Sequence, residues 1–260
     1  MSFAWPFDRR RRRLHAAPFP DAWEGYLEAL PFHVLLDAQE KQRLRERMRL
    51  LVTEKDWEGC GGLQMTDRIR VVIAAQAALL ILNFVHDSYR RVTSILVYPA
   101  AFVDSHARGV SDGIVSEFPR PLVGQAAMLG PVVLSWEDAY EGGRDPTDGR
   151  NVVFHEFAHK LDMLDDFADG CPPLGSKTQY ESWRRIVGQE FDALSRQAER
   201  GEKTLLDAYG ATSPTEFFAV ATECFFERAS ELQANRLALY DLLRSFYLQD
   251  PAARISRTRR

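Results

Sequence analysis

The sequence predicts an α+β fold with a small mixed sheet, a mostly helical C-terminal half and an active-site cleft between them. Strand-like segments are confined to the middle of the chain, at 93–99, 130–136 and, more weakly, 121–128. After residue 150 the apolar residues recur at helical spacing, over about 148–164, 177–200, 213–228 and 231–247. No internal repeat or low-complexity linker divides the 260 residues, which suffice for one large core.

The elements follow in order. Residues 1–36, rich in proline, aromatic residues and arginine, are expected to form an irregular N-terminal arm. The stretch "DAQEKQRLRERMRLLVTEKDW" (37–57) has the charge density and Leu/Met spacing of a surface helix, with Asp37 as its N-cap. "GCGG" at 59–62 breaks the chain, and 66–84 reads as a largely buried helix started by Thr66 or Asp67. Residues 137–150, "EDAYEGGRDPTDGR", are turn-rich. The division expected is an arm at 1–36, a single domain at 37–250 and a basic C-terminal tail at 251–260.

Composition excludes several classes. A formal net charge of −4 gives no general attraction to nucleic acid. The arginine runs at 9–13 and 254–260 carry no recognition motif, so direct nucleic-acid binding is not expected. Cys60, Cys171 and Cys224 are odd in number, widely spaced and without a CxxC pair, which fits a reducing compartment. The longest apolar run, 71–85, contains Gln76 and Asn83 and is short for a membrane span. No signal-peptide core follows the charged start, so the expected location is the cytoplasm, with no membrane contact.

"NVVFHEFAHKLD" (151–162) is the most informative stretch. Residues four apart on a helix share a face, so His155 and His159 can offer two imidazoles to one ion. Glu156 leans toward the same side and can act as general base on a water there. A chance HExxH arises in roughly one such sequence in a hundred, so context must decide. Phe154, Phe157, Ala158 and Leu161 make the helix largely buried, where unpartnered histidines would be costly.

A catalytic zinc takes three protein ligands. The other histidines, His15, His33, His86 and His106, all lie upstream, and Asp162 and Asp165 stand where a metzincin extension needs Gly and His. In "SPTEFFAVATECFFE", Glu216 and Glu223 fall seven apart, on roughly one helix face. Ser213 caps this helix and Pro214 opens it, so Glu216 also suits a capping box. Spacing alone leaves the third ligand open.

"HEFAHKLD" followed by "AYGATSPTEFFA" resembles the zinc peptidases of the Mlc titration factor A family, and the likeness extends to "IAAQAALLIL" and "GPVVLSW". The two metal-site blocks are also similar to the catalytic domain of anthrax lethal factor. The resemblance implies a zincin-like metallopeptidase with one Zn2+ per chain on His155, His159 and Glu216. It implies Glu156 as general base and Tyr209, seven residues before Glu216, as the oxyanion donor. It further implies a cytoplasmic, aminopeptidase-like enzyme acting on peptide or protein substrates, with a Mlc-type transcriptional repressor as partner. The alternative reading is a repressor-sequestering protein whose peptidase activity is secondary. One departure stands out: Val220 occupies a position where lethal factor has Glu, which leaves Glu223 or Asp162 to orient a ligand histidine.

Overall fold

The computed structural model describes residues 18–85, 88–100 and 130–258. In chain order the described elements are α1 (Asp21–Glu28), α2 (Ala38–Glu54), β1 (Asp56–Gly59), α3 (Asp67–Leu80), β2 (Ser94–Tyr98), β3 (Val132–Ser135), α4 (Trp136–Arg144), α5 (Val152–Asp162), α6 (Lys177–Glu199), α7 (Pro214–Glu227), α8 (Ala229–Asn235), α9 (Leu237–Tyr247) and α10 (Pro251–Thr258). Short 3-10 turns at Pro31–Leu35, Met163–Asp165 and Ala208–Ala211 join them.

The α+β expectation holds, with one correction. Among the described residues the sheet is not mixed: its three strands run in the order β1-β2-β3 and every pairing is parallel. The weaker strand expected at 121–128 lies outside the described residues. Parallel neighbours need a crossover between them, and α3 supplies the one from β1 to β2. Strand β1 is absent from the sequence-based reading because "DWEG" shows no apolar alternation. It is extended because its backbone pairs with β2, Asp56 to Ser94 through Gly59 to Val97.

Helix α3 is the centre of the fold. All of Val71–Leu80 is buried, Gln76 included, and the helix packs on α1, α2, α4 and α5. Its N-cap is Thr66, whose hydroxyl accepts the Ile69 N–H. Asp37 caps α2 in a reciprocal box with Glu40. Each such cap contributes about 1 kcal/mol. The other Glu40 oxygen receives the buried Arg254 guanidinium at 2.6 and 2.9 Å, which docks α10 against α2.

Two further differences concern α4 and the C-terminal helices. The turn-rich segment at 137–150 begins with α4, capped by Ser135 and carrying Glu137 and Asp138 in its first turn and Arg144 in its last. Gly142 and Gly143 obscured those helix signals. The single helix expected at 231–247 is two, broken at Arg236, whose backbone leaves the helical region.

Candidate metal centre

Helix α5 holds the motif. Asn151 is its N-cap, accepting the Phe154 N–H at 3.0 Å, and Val153, Phe154, Phe157, Ala158 and Leu161 are buried. The opposite stripe carries His155, Glu156 and His159, each half-buried. Helix α7 lies against α5. Its cap is Ser213, with Pro214 in the first turn, and a sheath of rings fixes it: Trp183, Phe246 and Tyr247 all pack on Phe218. Gly170 clasps the two helices. Its N–H donates to Asp162 at the end of α5, its carbonyl takes the Trp183 indole, and a Cβ there would lie 2.3 Å from the Pro214 carbonyl. With φ of +76° as well, no other residue fits there without displacement.

The two helices bring His155, His159 and Glu216 together, their ligand atoms all within 4.8 Å of one another. Glu216 Oε2 lies 2.9 Å from His155 Nε2 and 3.4 Å from His159 Nε2. Its carboxylate is thus turned to the two imidazoles, while Ser213 caps the Glu216 N–H. Burial alone would depress the His155 imidazolium; the Glu216 and Glu223 carboxylates on its two nitrogens outweigh burial and push it up to about 10. Glu216, raised by burial but held by both histidines, falls well below the usual carboxylate range.

The remaining positions are as follows. Glu156 sits beside His155 on the same helix. Tyr209 occupies the turn Ala208–Ala211, whose N-cap Asp207 accepts the Tyr209 N–H at 2.9 Å and pairs with Arg150 at 2.8 Å. Tyr209 is 40% exposed and its ring centroid is 6.0 Å from that of His155. Val220 lies beneath this turn: a Cβ on Gly210 would be 3.3 Å from its own. Asp165, Asp166 and Asp169 form the acidic loop after α5. They are engaged locally, capping Phe167 N–H, pairing with Arg91 and capping Cys171 N–H respectively.

Sequence reasoning left the support of the histidines open. Glu223 Oε1 lies 2.8 Å from His155 Nδ1, and Glu223 Oε2 accepts the Asn151 N–H. Asn151, Gln76 and Glu227, which complete this buried network, were not foreseen. The available signals were a lone Gln in an apolar run and an Asn directly before the motif. On the other side, His159 Nδ1 and Asp162 Oδ1 are buried and lack a hydrogen-bond partner among the described residues. Burial pushes the Asp162 carboxyl up to about 7, against the Gly170 N–H and the His159 charge.

Comparison with known proteins decides the family. Residues 5–248 match the family described as glucose-regulated metallo-peptidase M90. The chain belongs to this family. It is 38% identical over 257 residues to an uncharacterized protein of Synechocystis sp., covering 96% of this chain and 94% of the relative. It is 34% identical over 239 residues to the Mlc titration factor A of Serratia proteamaculans, covering 90% and 89%. The Mlc titration factor A of Edwardsiella ictaluri is 34% identical over 245 residues, covering 92% and 89%. The resemblance to the Mlc titration factor A family is therefore borne out. An M90 chain is a metallopeptidase, and the family implies a metal ion. The donor set here fits one: two imidazoles and a carboxylate converge, and the Glu223 carboxylate backs one imidazole from behind. Among the described residues, no helix is long and apolar enough to cross a membrane.

Proposed function

We propose that this M90 metallopeptidase is a zinc enzyme holding one Zn2+ per chain on His155, His159 and Glu216. The convergence of these three side chains within 4.8 Å carries the reading, since two histidines and a carboxylate form a recurrent catalytic zinc set. Zinc would supply Lewis acidity, polarising the substrate carbonyl and easing deprotonation of the attacking water. Glu156 takes the proton of that water and returns it to the leaving amine. The Tyr209 hydroxyl donates a hydrogen bond to the oxygen that becomes negative in the tetrahedral intermediate. Glu223, 2.8 Å from His155 Nδ1, would accept its N–H and so leave Nε2 free to hold the ion.

The substrates are peptides or proteins, cleaved in an aminopeptidase-like manner within a zincin-like fold, and the place of action is the cytoplasm. Three free cysteines agree with a reducing compartment. The name of the Serratia and Edwardsiella relatives, Mlc titration factor A, favours a second reading: capture of a Mlc-type transcriptional repressor, with hydrolysis secondary. Glu156→Gln separates the two. It should retain zinc, lower peptide hydrolysis by about 10²–10⁴-fold and leave capture of a purified Mlc-type repressor intact. Hydrolysis at the wild-type rate in that variant would refute the enzymatic mechanism.

A further inference from the structure

A chain of directed hydrogen bonds runs from the buried core to the back of the proposed metal ligand. Gln76, at 0% exposure in the middle of α3, donates through Nε2 to the carbonyls of Val72 at 3.1 Å and Ala139 at 3.0 Å. These bonds fix its amide, so that Oε1 faces Asn151 and accepts from Nδ2 at 2.8 Å. Asn151, 2% exposed, spreads the same Nδ2 group over Gly142 O and Glu227 Oε1, both at 3.1 Å. Its Oδ1 caps α5, and its backbone N–H donates to Glu223 Oε2. With Oε2 occupied by that donor, Glu223 Oε1 is left to accept from His155 Nδ1. The His155 ring is thus braced at Nδ1 through three residues, Gln76, Asn151 and Glu223.

A separate observation points to the same hub. Gly142 and Gly143 lie inside α4, where glycine is a poor helix former. A Cβ on Gly143 would sit 2.8 Å from Gln76 Nε2 and 3.0 Å from its Cδ. A Cβ on Gly142 would sit 3.1 Å from both Arg150 O and Asn151 Cα. Both glycines therefore allow α4 to approach the Gln76–Asn151 pair closely.

We propose that Asn151, anchored by Gln76, is a positioning residue for the metal: it holds Glu223 in the one orientation that presents His155 Nε2 to the ion. The inference rests on the zinc-site reading above and adds the residues that act through Glu223. Asn151→Ser tests it, because serine keeps a good N-cap and the backbone N–H while removing the Nδ2 anchor. In the full-length protein, zinc affinity is measured by competition with a chromophoric chelator, and the visible spectrum is recorded after Co2+ substitution. Zinc affinity should fall about 10-fold, within the range for groups that support a metal ligand, and the Co2+ bands should shift. Combining Asn151→Ser with Glu223→Gln should weaken zinc no further than Glu223→Gln alone. Tyr240→Phe, which removes a part-buried hydrogen bond to Asp250 and touches no member of the Gln76–Asn151–Glu223 chain, should change thermal stability but not zinc affinity. Gly143→Ala, which touches neither cap nor ligand, should lower zinc affinity in the same direction as Asn151→Ser. Unchanged affinity and an unmoved Co2+ spectrum in Asn151→Ser, or additive losses in the double variant, would overturn this inference while leaving the zinc site standing. A wild-type chain without zinc affinity would overturn both together.

Discussion

The two histidines of the motif stand one helical turn apart, yet their surroundings differ. His155 is held at both nitrogens: Glu216 faces Nε2 and Glu223 faces Nδ1, with Asn151 and Gln76 behind. His159 meets Glu216 at 3.4 Å, and its Nδ1 is buried without a hydrogen-bond partner among the described residues. Nδ1 of His155 is supported by Glu223, 68 positions along the chain, whereas Asp162, the buried carboxyl three residues after His159, lies on the same helix and makes no hydrogen bond to it. A ring held at both nitrogens by α7 keeps its orientation before a ligand arrives; one engaged at a single nitrogen has more freedom. The His155 flank is therefore the pre-organised half of the site.

The largest effect that would sharpen this contrast lies at Tyr209, whose ring flanks His155. Tyr209→Phe removes only the hydroxyl and should lower turnover about 10²–10³-fold with nearly unchanged Michaelis constant and zinc content. Steady-state kinetics on a peptide substrate settle the matter; unchanged turnover would return Tyr209 to a packing role. Next comes the asymmetry itself. Glu223→Gln should weaken zinc binding about 10–100-fold, because the amide cannot accept both the His155 and Asn151 N–H groups. Asp162→Asn should cost only a few-fold on the scale of such supporting groups. Chelator competition on the two variants breaks the comparison if Asp162→Asn proves the more damaging.

The smallest effect on the metal is expected at Glu227. Burial, opposed by the Asn151 amide, pushes its carboxyl from 4.5 up to about 9. The folded chain then binds a proton that the unfolded chain releases, so its stability falls as pH rises from 4.5 through about 9. Glu227→Gln keeps an acceptor for Asn151 and removes the titration. Its melting temperature relative to wild type should climb between about pH 5 and about pH 8, on the order of several degrees. Parallel pH profiles of the two proteins would show that Glu227 is charged in the fold.

The contrast also explains what the sequence could reveal. His155, Glu156 and His159 stand out as a motif because four-residue spacing is local; Glu216 was singled out by the resemblance, since the cap and proline at the start of α7 equally suit a capping box. Thr66, Asp37 and Ser213 were readable as caps for the same reason. Glu223 was visible only as a candidate, since its partner is 68 residues away. Strand β1 was hidden because its extended form comes from pairing with β2. Helix α4 was hidden by Gly142 and Gly143, which serve the approach of Gln76 and Asn151 rather than a turn. Local chemistry leaves a local pattern; long-range packing leaves single residues that look out of place, such as Gln76 in its apolar helix.

The zinc content of the purified chain, measured for wild type and for Glu216→Gln after loading and dialysis, tests the central claim most directly. One zinc per wild-type chain is expected, with loss of most of it in Glu216→Gln and the fold retained by circular dichroism. A wild-type chain that takes up no zinc, or a Glu216→Gln variant that keeps a full equivalent at wild-type affinity, would contradict it.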